Sequence, residues 1–149
     1  MSVEANKKLV LEFVDCLMQQ DYERLAGILS DTFQWVIPVR AETLKKGGMP
    51  LLRTGAFAIE RMKANRDLMQ GGMKFEVLEW TAEGNRVAVE CEGHVVWKNG
   101  KVYNNLYHLA FVMRDGKIDK FTEYCDYMYA WETNPLLPNQ ATKVGASGG

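Results

Sequence analysis

The sequence predicts an α+β domain, with three N-terminal helices on the concave face of a curved antiparallel sheet. Two observations carry this reading. Apolar residues recur at helical spacing up to about Met69, and from Met73 the pattern changes to alternation interrupted by three tight-turn dipeptides. A chain of 149 residues, 47% apolar and 25% charged, is long enough for one core and matches ordinary globular composition.

Leu9, Val10, Phe13, Val14, Leu17 and Met18 recur at three- and four-residue steps, which predicts an amphipathic helix over roughly Val3–Met18. Asp21 can cap a second helix carrying Tyr22, Leu25 and Leu29. Phe33–Ile37 reads as a short strand stopped by Pro38. Residues 38–54 show no periodicity, and a loop of that length is expected to act as a lid. A third helix is expected from Gly55 to about Met69, ended by Gly71-Gly72. Gly84-Asn85, Asn99-Gly100 and Asp115-Gly116 then join four antiparallel strands near 73–83, 86–98, 101–114 and 117–127. A long sheet of this kind twists and bends. The domain is expected to span 1–132, followed by a mobile tail over 133–149.

The second long strand holds the polar anomaly. Alternation puts Val87, Val89, Cys91, Val95 and Trp97 on one side, and Glu90, Glu92 and His94 on the other. If Asn99-Gly100 is a two-residue hairpin, His94 faces Asn105 and Glu92 faces Tyr107. The acids then share a face with Tyr103, Tyr107, Leu109 and Phe111. A solvated face satisfies the alternation equally well. A semi-open cavity better reconciles acids with aromatic neighbours, because unpaired carboxylates in a closed core cost several kcal/mol each. On the last strand Glu123 and Asp126 have opposite parity: a plain Asp115-Gly116 turn points Tyr124 and Asp126 inward, a bulged one Phe121, Glu123 and Cys125.

The segment Asn99-Gly-Lys-Val-Tyr-Asn-Asn-Leu-Tyr107, with Arg114-Asp-Gly-Lys-Ile118, Glu123-Tyr-Cys-Asp126 and Thr54-Gly-Ala-Phe-Ala-Ile59, resembles SnoaL-like proteins of the nuclear-transport-factor-2-like superfamily. The likeness covers roughly residues 3–130 and implies a cone-shaped sheet around one small-molecule cavity. Members include isomerases, cyclases, hydrolases, dehydratases and plain binders. The base and helix tyrosine of ketosteroid isomerases are replaced, since the matching positions resemble Phe13, Ile37 and Tyr107. Matched to limonene-epoxide-hydrolase-like enzymes, the catalytic positions fall on Glu90, Glu92 and Glu123, with the arginine replaced by Glu90. The same match favours Glu123 inward and Asp126 behind it.

The resemblance and the alternation together nominate Glu92, Glu123, His94 and Glu90 as catalytic groups, with one carboxyl protonated and another acting as base. Tyr107, Asn105, Tyr103, Trp35, Phe13 and Phe121 are the expected substrate-binding residues. His108 has the opposite parity and reads as structural, while Cys91 is expected among valines on the outer face. Two histidines of opposite parity form no evident ligand set, and no phosphate loop or dinucleotide fingerprint is present, so neither metal nor cofactor is implied. A net charge of −1 gives no reason to expect nucleic acid or an anionic membrane as partner. Three unpaired cysteines and no apolar leader make the cytoplasm the default. The expected function is cofactor-independent acid/base chemistry (isomerase, dehydratase or hydrolase) on a small hydrophobic molecule. The rival is a non-catalytic binding or dimerising module. A homodimer through the outer face, using Trp97 and Val95, is expected by analogy with the family.

Overall fold

The computed structural model describes residues 2–40, 42 and 52–135. Helix α1 (Val3–Gln19) starts on Ser2, whose hydroxyl accepts from Ala5 N, and buries Val10, Phe13, Val14 and Cys16. Gln20 ends it in the left-handed conformation. Asp21 caps α2 (Tyr22–Ile28) by accepting from Arg24 N at 3.0 Å, as its position implies. Strand β1 (Leu29–Val36) follows, then β2 (Leu52–Thr54) and α3 (Gly55–Arg66). The expected lid lies largely outside the described residues.

Four long strands complete the sheet: β3 (Met69–Glu83), β4 (Arg86–Trp97), β5 (Val102–Arg114) and β6 (Lys117–Cys125). The order is β2-β1-β6-β5-β4-β3, and β1 runs parallel to β6 while every other pair is antiparallel. The α+β class stands, with a mixed sheet, six-stranded among the described residues, in place of a purely antiparallel one. Gly71-Gly72 does not end the third helix. Both glycines sit in β3 at φ of 72° and 92°, where the ladder to β4 slips between Gln70 and Lys74. A short helix that the sequence reading missed, α4 (Tyr127–Thr133), follows β6. Asp126 is its cap, accepting from Tyr129 N at 3.0 Å, so the expected strand ends two residues early. Thr133 and Asn134 are buried, which carries the packed domain past residue 132.

Two local features decide which side chains face the helices. The Asn99-Gly100 turn is not a two-residue hairpin. Trp97 N donates to Lys101 O at 2.9 Å, leaving a three-residue loop with Gly100 at φ 84°. The pairs are therefore Gly93↔Asn105, Cys91↔Tyr107 and Glu92↔Leu106, one residue away from the expected register. At the other end, Asp115-Gly116 is a plain two-residue turn with both residues at positive φ, and the bulge lies within β6. Met113 pairs with Ile118 but Val112 pairs with Lys120, which leaves Asp119 as the extra residue. Asp119 is held from outside by Ser30 Oγ at 2.6 Å, Thr32 Oγ1 at 2.7 Å and Arg114 Nη2 at 2.7 Å. Those bonds, Ser30's first, hold its carboxyl below the usual carboxylate range.

The core lies between α1, α2, α3 and one sheet face. Phe13 packs against Phe111 and Phe121 with ring centroids 5.2 and 5.1 Å apart. Asn6 is buried within α1 and ties the helix to the β3–β4 turn by donating to Gly84 O at 2.9 Å.

Candidate active site

The helix-covered face of the sheet, with α2, α3 and α4, encloses a cavity of about 110 Å³. Of its lining, Val14, Leu17, Trp35, Leu109 and Phe121 belong to one apolar cluster, and Met69, Met73 and Trp97 to a second. Tyr22, Asn65 and Arg66 approach from α2 and α3, and Tyr127, Ala130 and Asn134 from α4 with the turn after it. Glu123 is the single carboxylate among the described lining residues. Its Oε2 accepts from Trp35 Nε1 at 3.0 Å.

Two phenols share this wall. Tyr107 donates to Tyr103 Oη at 3.3 Å, and Asn105 Nδ2, buried behind them, donates to the same oxygen at 2.8 Å. Asn105 is itself fixed by Asp126 O at 3.1 Å and by Leu106 N at 2.9 Å. Burial is the main cause that raises both phenols above their ordinary range, and the Glu123 charge adds to it. Tyr107 and Tyr103 therefore stay protonated at neutral pH and serve as donors. Burial also pushes the Cys125 thiol up to about 12, again with Glu123 contributing, so this cysteine is no nucleophile.

Of the expected catalytic set, only Glu123 reaches the cavity. The register change turns Glu90, Glu92 and His94 to the opposite, more exposed face, correcting their expected placement. Glu90 faces His108 at 4.0 Å, and His94 Nε2 lies 3.7 Å from Glu76 Oε2. Trp35, Tyr103, Tyr107 and Phe121 line the cavity, whereas Asn105 stands behind the phenols and Phe13 lies in the core. Val95, Trp97 and Cys91 are buried on the helix-covered face, so Trp97 and Val95 are unavailable to the outer-face interface expected of them. Gly93 is there for close approach: a Cβ would stand 2.8 Å from Tyr107 Cε2 and 3.4 Å from Phe75 Cε1. Outside, Glu76, Glu92 and His94 each bring a ligand atom within 4.8 Å of the others, a half-exposed set that the parity argument overlooked.

Residues 10–121 match the model of the SnoaL-like domain. The chain belongs to the SnoaL-like family. None of the curated proteins matches it. Among solved structures, TerC co-crystallised with polyporic acid is 23% identical with a TM-score of 0.72, over 86% of this chain and 96% of that one. PrhC from Penicillium brasilianum is 12% identical with a TM-score of 0.77, over 98% and 93%. An LEH-like epoxide hydrolase from M. tuberculosis is 14% identical with a TM-score of 0.68, over 97% of each chain. At such identities the likeness speaks for the fold. This SnoaL-like chain departs from the epoxide-hydrolase match made by counting. Glu90 and Glu92 face outward, and the inward residues across β5 from Glu123 are Val89 and Cys91. A carboxylate with two phenols replaces the expected pair of acids.

The residues that the sequence reading missed are Trp97, Asn65, Arg66 and those of α4. The apolar alternation Val87, Val89, Cys91, Val95, Trp97 was the available signal for the buried side of β4, and Asp126 before Tyr-Met-Tyr-Ala was the signal for α4.

Proposed function

We propose that the chain is a cofactor-independent acid/base enzyme acting on a small, largely apolar carbonyl compound. Glu123 is the base, and Tyr103, whose oxygen accepts from Tyr107, supplies the hydrogen bond to the substrate oxygen. The carboxylate takes a proton from the carbon next to the carbonyl, and the electron pair moves onto oxygen, where a phenol O–H stabilises it. Return of the proton to another carbon is isomerisation, and expulsion of a β-hydroxyl, which takes the proton back from Glu123 and leaves as water, is dehydration. The observation that supports this is the Glu123 carboxylate, oriented by the Trp35 indole N–H inside an apolar cavity with un-ionised phenols on the same wall. A panel of enones, epoxides and β-hydroxy carbonyls, assayed with wild type and Glu123→Gln, tests it. Turnover of a carbonyl member that Glu123→Gln abolishes is the expected result. Background rates for wild type on every member overturn it.

The single acid among the described lining residues also fits a non-catalytic binder, and the co-crystallised ligand of TerC supports a ligand-holding cavity. Binding without turnover of any panel member favours that reading. The homodimer is proposed on the outer face through Val96, Val102, Leu106 and Tyr124, which are exposed there. A monomer in sedimentation at micromolar concentration rules it out. The cytoplasm remains the proposed location, on the strength of three free cysteines.

A further inference from the structure

On the outer face of the sheet, Glu76 and Glu92 stand directly opposite each other across β3 and β4, and His94 follows Glu92 on the same side of β4. Like charges directly opposite on an antiparallel pair are destabilising. His94 Nε2 lies 3.7 Å from Glu76 Oε2, but no hydrogen bond or ion pair engages Glu92 among the described residues. Lys74 faces His94 across the ladder and forms no ion pair with any described group. The neighbours on β5, Asn104 opposite His94 and Leu106 opposite Glu92, carry no charge. The next acid, Glu90, lies with His108.

One carboxylate oxygen from each glutamate and one imidazole nitrogen lie within 4.8 Å of one another. In a tetrahedral zinc site the donor atoms stand about 3.4 Å apart, given metal bonds of about 2.1 Å. The His94–Glu76 spacing is already close to that, and the Glu92 carboxyl reaches it by rotation about its own side-chain bonds. An imidazole beside two carboxylates suits a divalent transition ion better than calcium or magnesium, which favour oxygen alone. The place also has a structural use. Edge strand β3 slips register on both sides of Glu76, between Gln70 and Lys74 and between Val77 and Glu79. We propose that Glu76, Glu92 and His94 form a zinc-type divalent metal site, completed by water, that staples this stretch of β3 to β4. It stands on the other face of the sheet from Glu123, so the inference is independent of the function proposed above.

The test is a calorimetric titration of the untagged, chelator-treated full chain with zinc chloride. One zinc per chain is expected, with a Kd below about 100 µM, and magnesium chloride gives no binding in the same range. Glu76→Gln, Glu92→Gln and His94→Gln each weaken zinc binding by at least about tenfold, as the loss of one ligand of three requires. Glu90→Gln and His108→Gln, on the same face but outside the set, leave it unchanged. In wild type, zinc shifts the ring resonances of His94 and not those of His108, a readout that needs no variant. Zinc also raises the urea midpoint of wild type and not that of Glu76→Gln, because the ion binds the folded chain. No zinc binding in that range, equal binding of magnesium, binding that survives the three substitutions, equal loss in the two controls, an unmoved His94 ring or an unmoved wild-type midpoint each overturns the inference.

Discussion

The two faces of the sheet hold similar side chains in opposite circumstances. Outside, Glu76, Glu90 and Glu92 stand near His94 and His108 in contact with water. Inside, Glu123 stands among aromatic rings, with one indole donor and two phenols that its charge helps keep protonated. The difference teaches that chemical capacity follows from orientation rather than from residue type. A carboxylate in water keeps a solvation shell that blunts its basicity. One held by a fixed dipole in an apolar space is preorganised.

The sharpest way to break this contrast is to neutralise acids on both faces. On any substrate turned over, Glu123→Gln is expected to lower kcat by about 10²–10⁴-fold, the usual worth of a positioned general base. Glu90→Gln and Glu92→Gln are expected to stay within about twofold, as exposed changes away from special features do. Steady-state kinetics on the three variants decides it. Equal losses in all three would collapse the distinction between the faces.

A structural version follows at Gly93, where inside and outside meet in adjacent residues. Gly93→Ala pushes a methyl group into the ring of Tyr107, which is wedged edge-on against Phe75 at 5.9 Å. An expected destabilisation of about 1–3 kcal/mol follows from overpacking. Glu92→Ala, one residue along, is expected to change stability by no more than about 0.5 kcal/mol. Urea denaturation of both variants measures the difference.

Much of the fold was legible because its signals are local. Helical spacing in α1, the Asp21 cap and the three turn dipeptides each specify their own neighbourhood, and all were read correctly as to kind. The site was less legible because facing is a counted property that accumulates error along a strand. Counting from Asn99-Gly100 failed by one residue, since a three-residue loop leaves Trp97 opposite Lys101. That slip exchanged the two sides of β4. Glu123 was placed correctly through the family resemblance, although the bulge that turns it inward lies at Asp119 and not in the turn. Trp97 was assigned to the wrong side with the rest of its strand, which hid its place in the cavity wall.

A smaller effect tests the clamp on that bulge. Because Asp119 has a carboxyl pKa below its ordinary value, its contribution is fully present above about pH 4 and is lost as pH falls through the lower, folded value. The stability gap between wild type and Asp119→Asn is therefore expected at pH 7 and should close towards pH 2. Chemical denaturation at the two pH values tests the sign. The smallest expected signal is chemical reactivity. Burial pushes Cys91 and Cys125 both up to about 12, so iodoacetamide at pH 8 should leave them unmodified in the native protein and alkylate them after unfolding.

The looped-out residue in β6 also governs how this chain is compared with others. An insertion absorbed by a bulge adds a letter without rotating anything beyond it, so a homologue one residue shorter here would still present its equivalent of Glu123 to the cavity. Columns aligned from the Asp115-Gly116 corner would mismatch that acid. Columns aligned backwards from the Asp126 cap would find it.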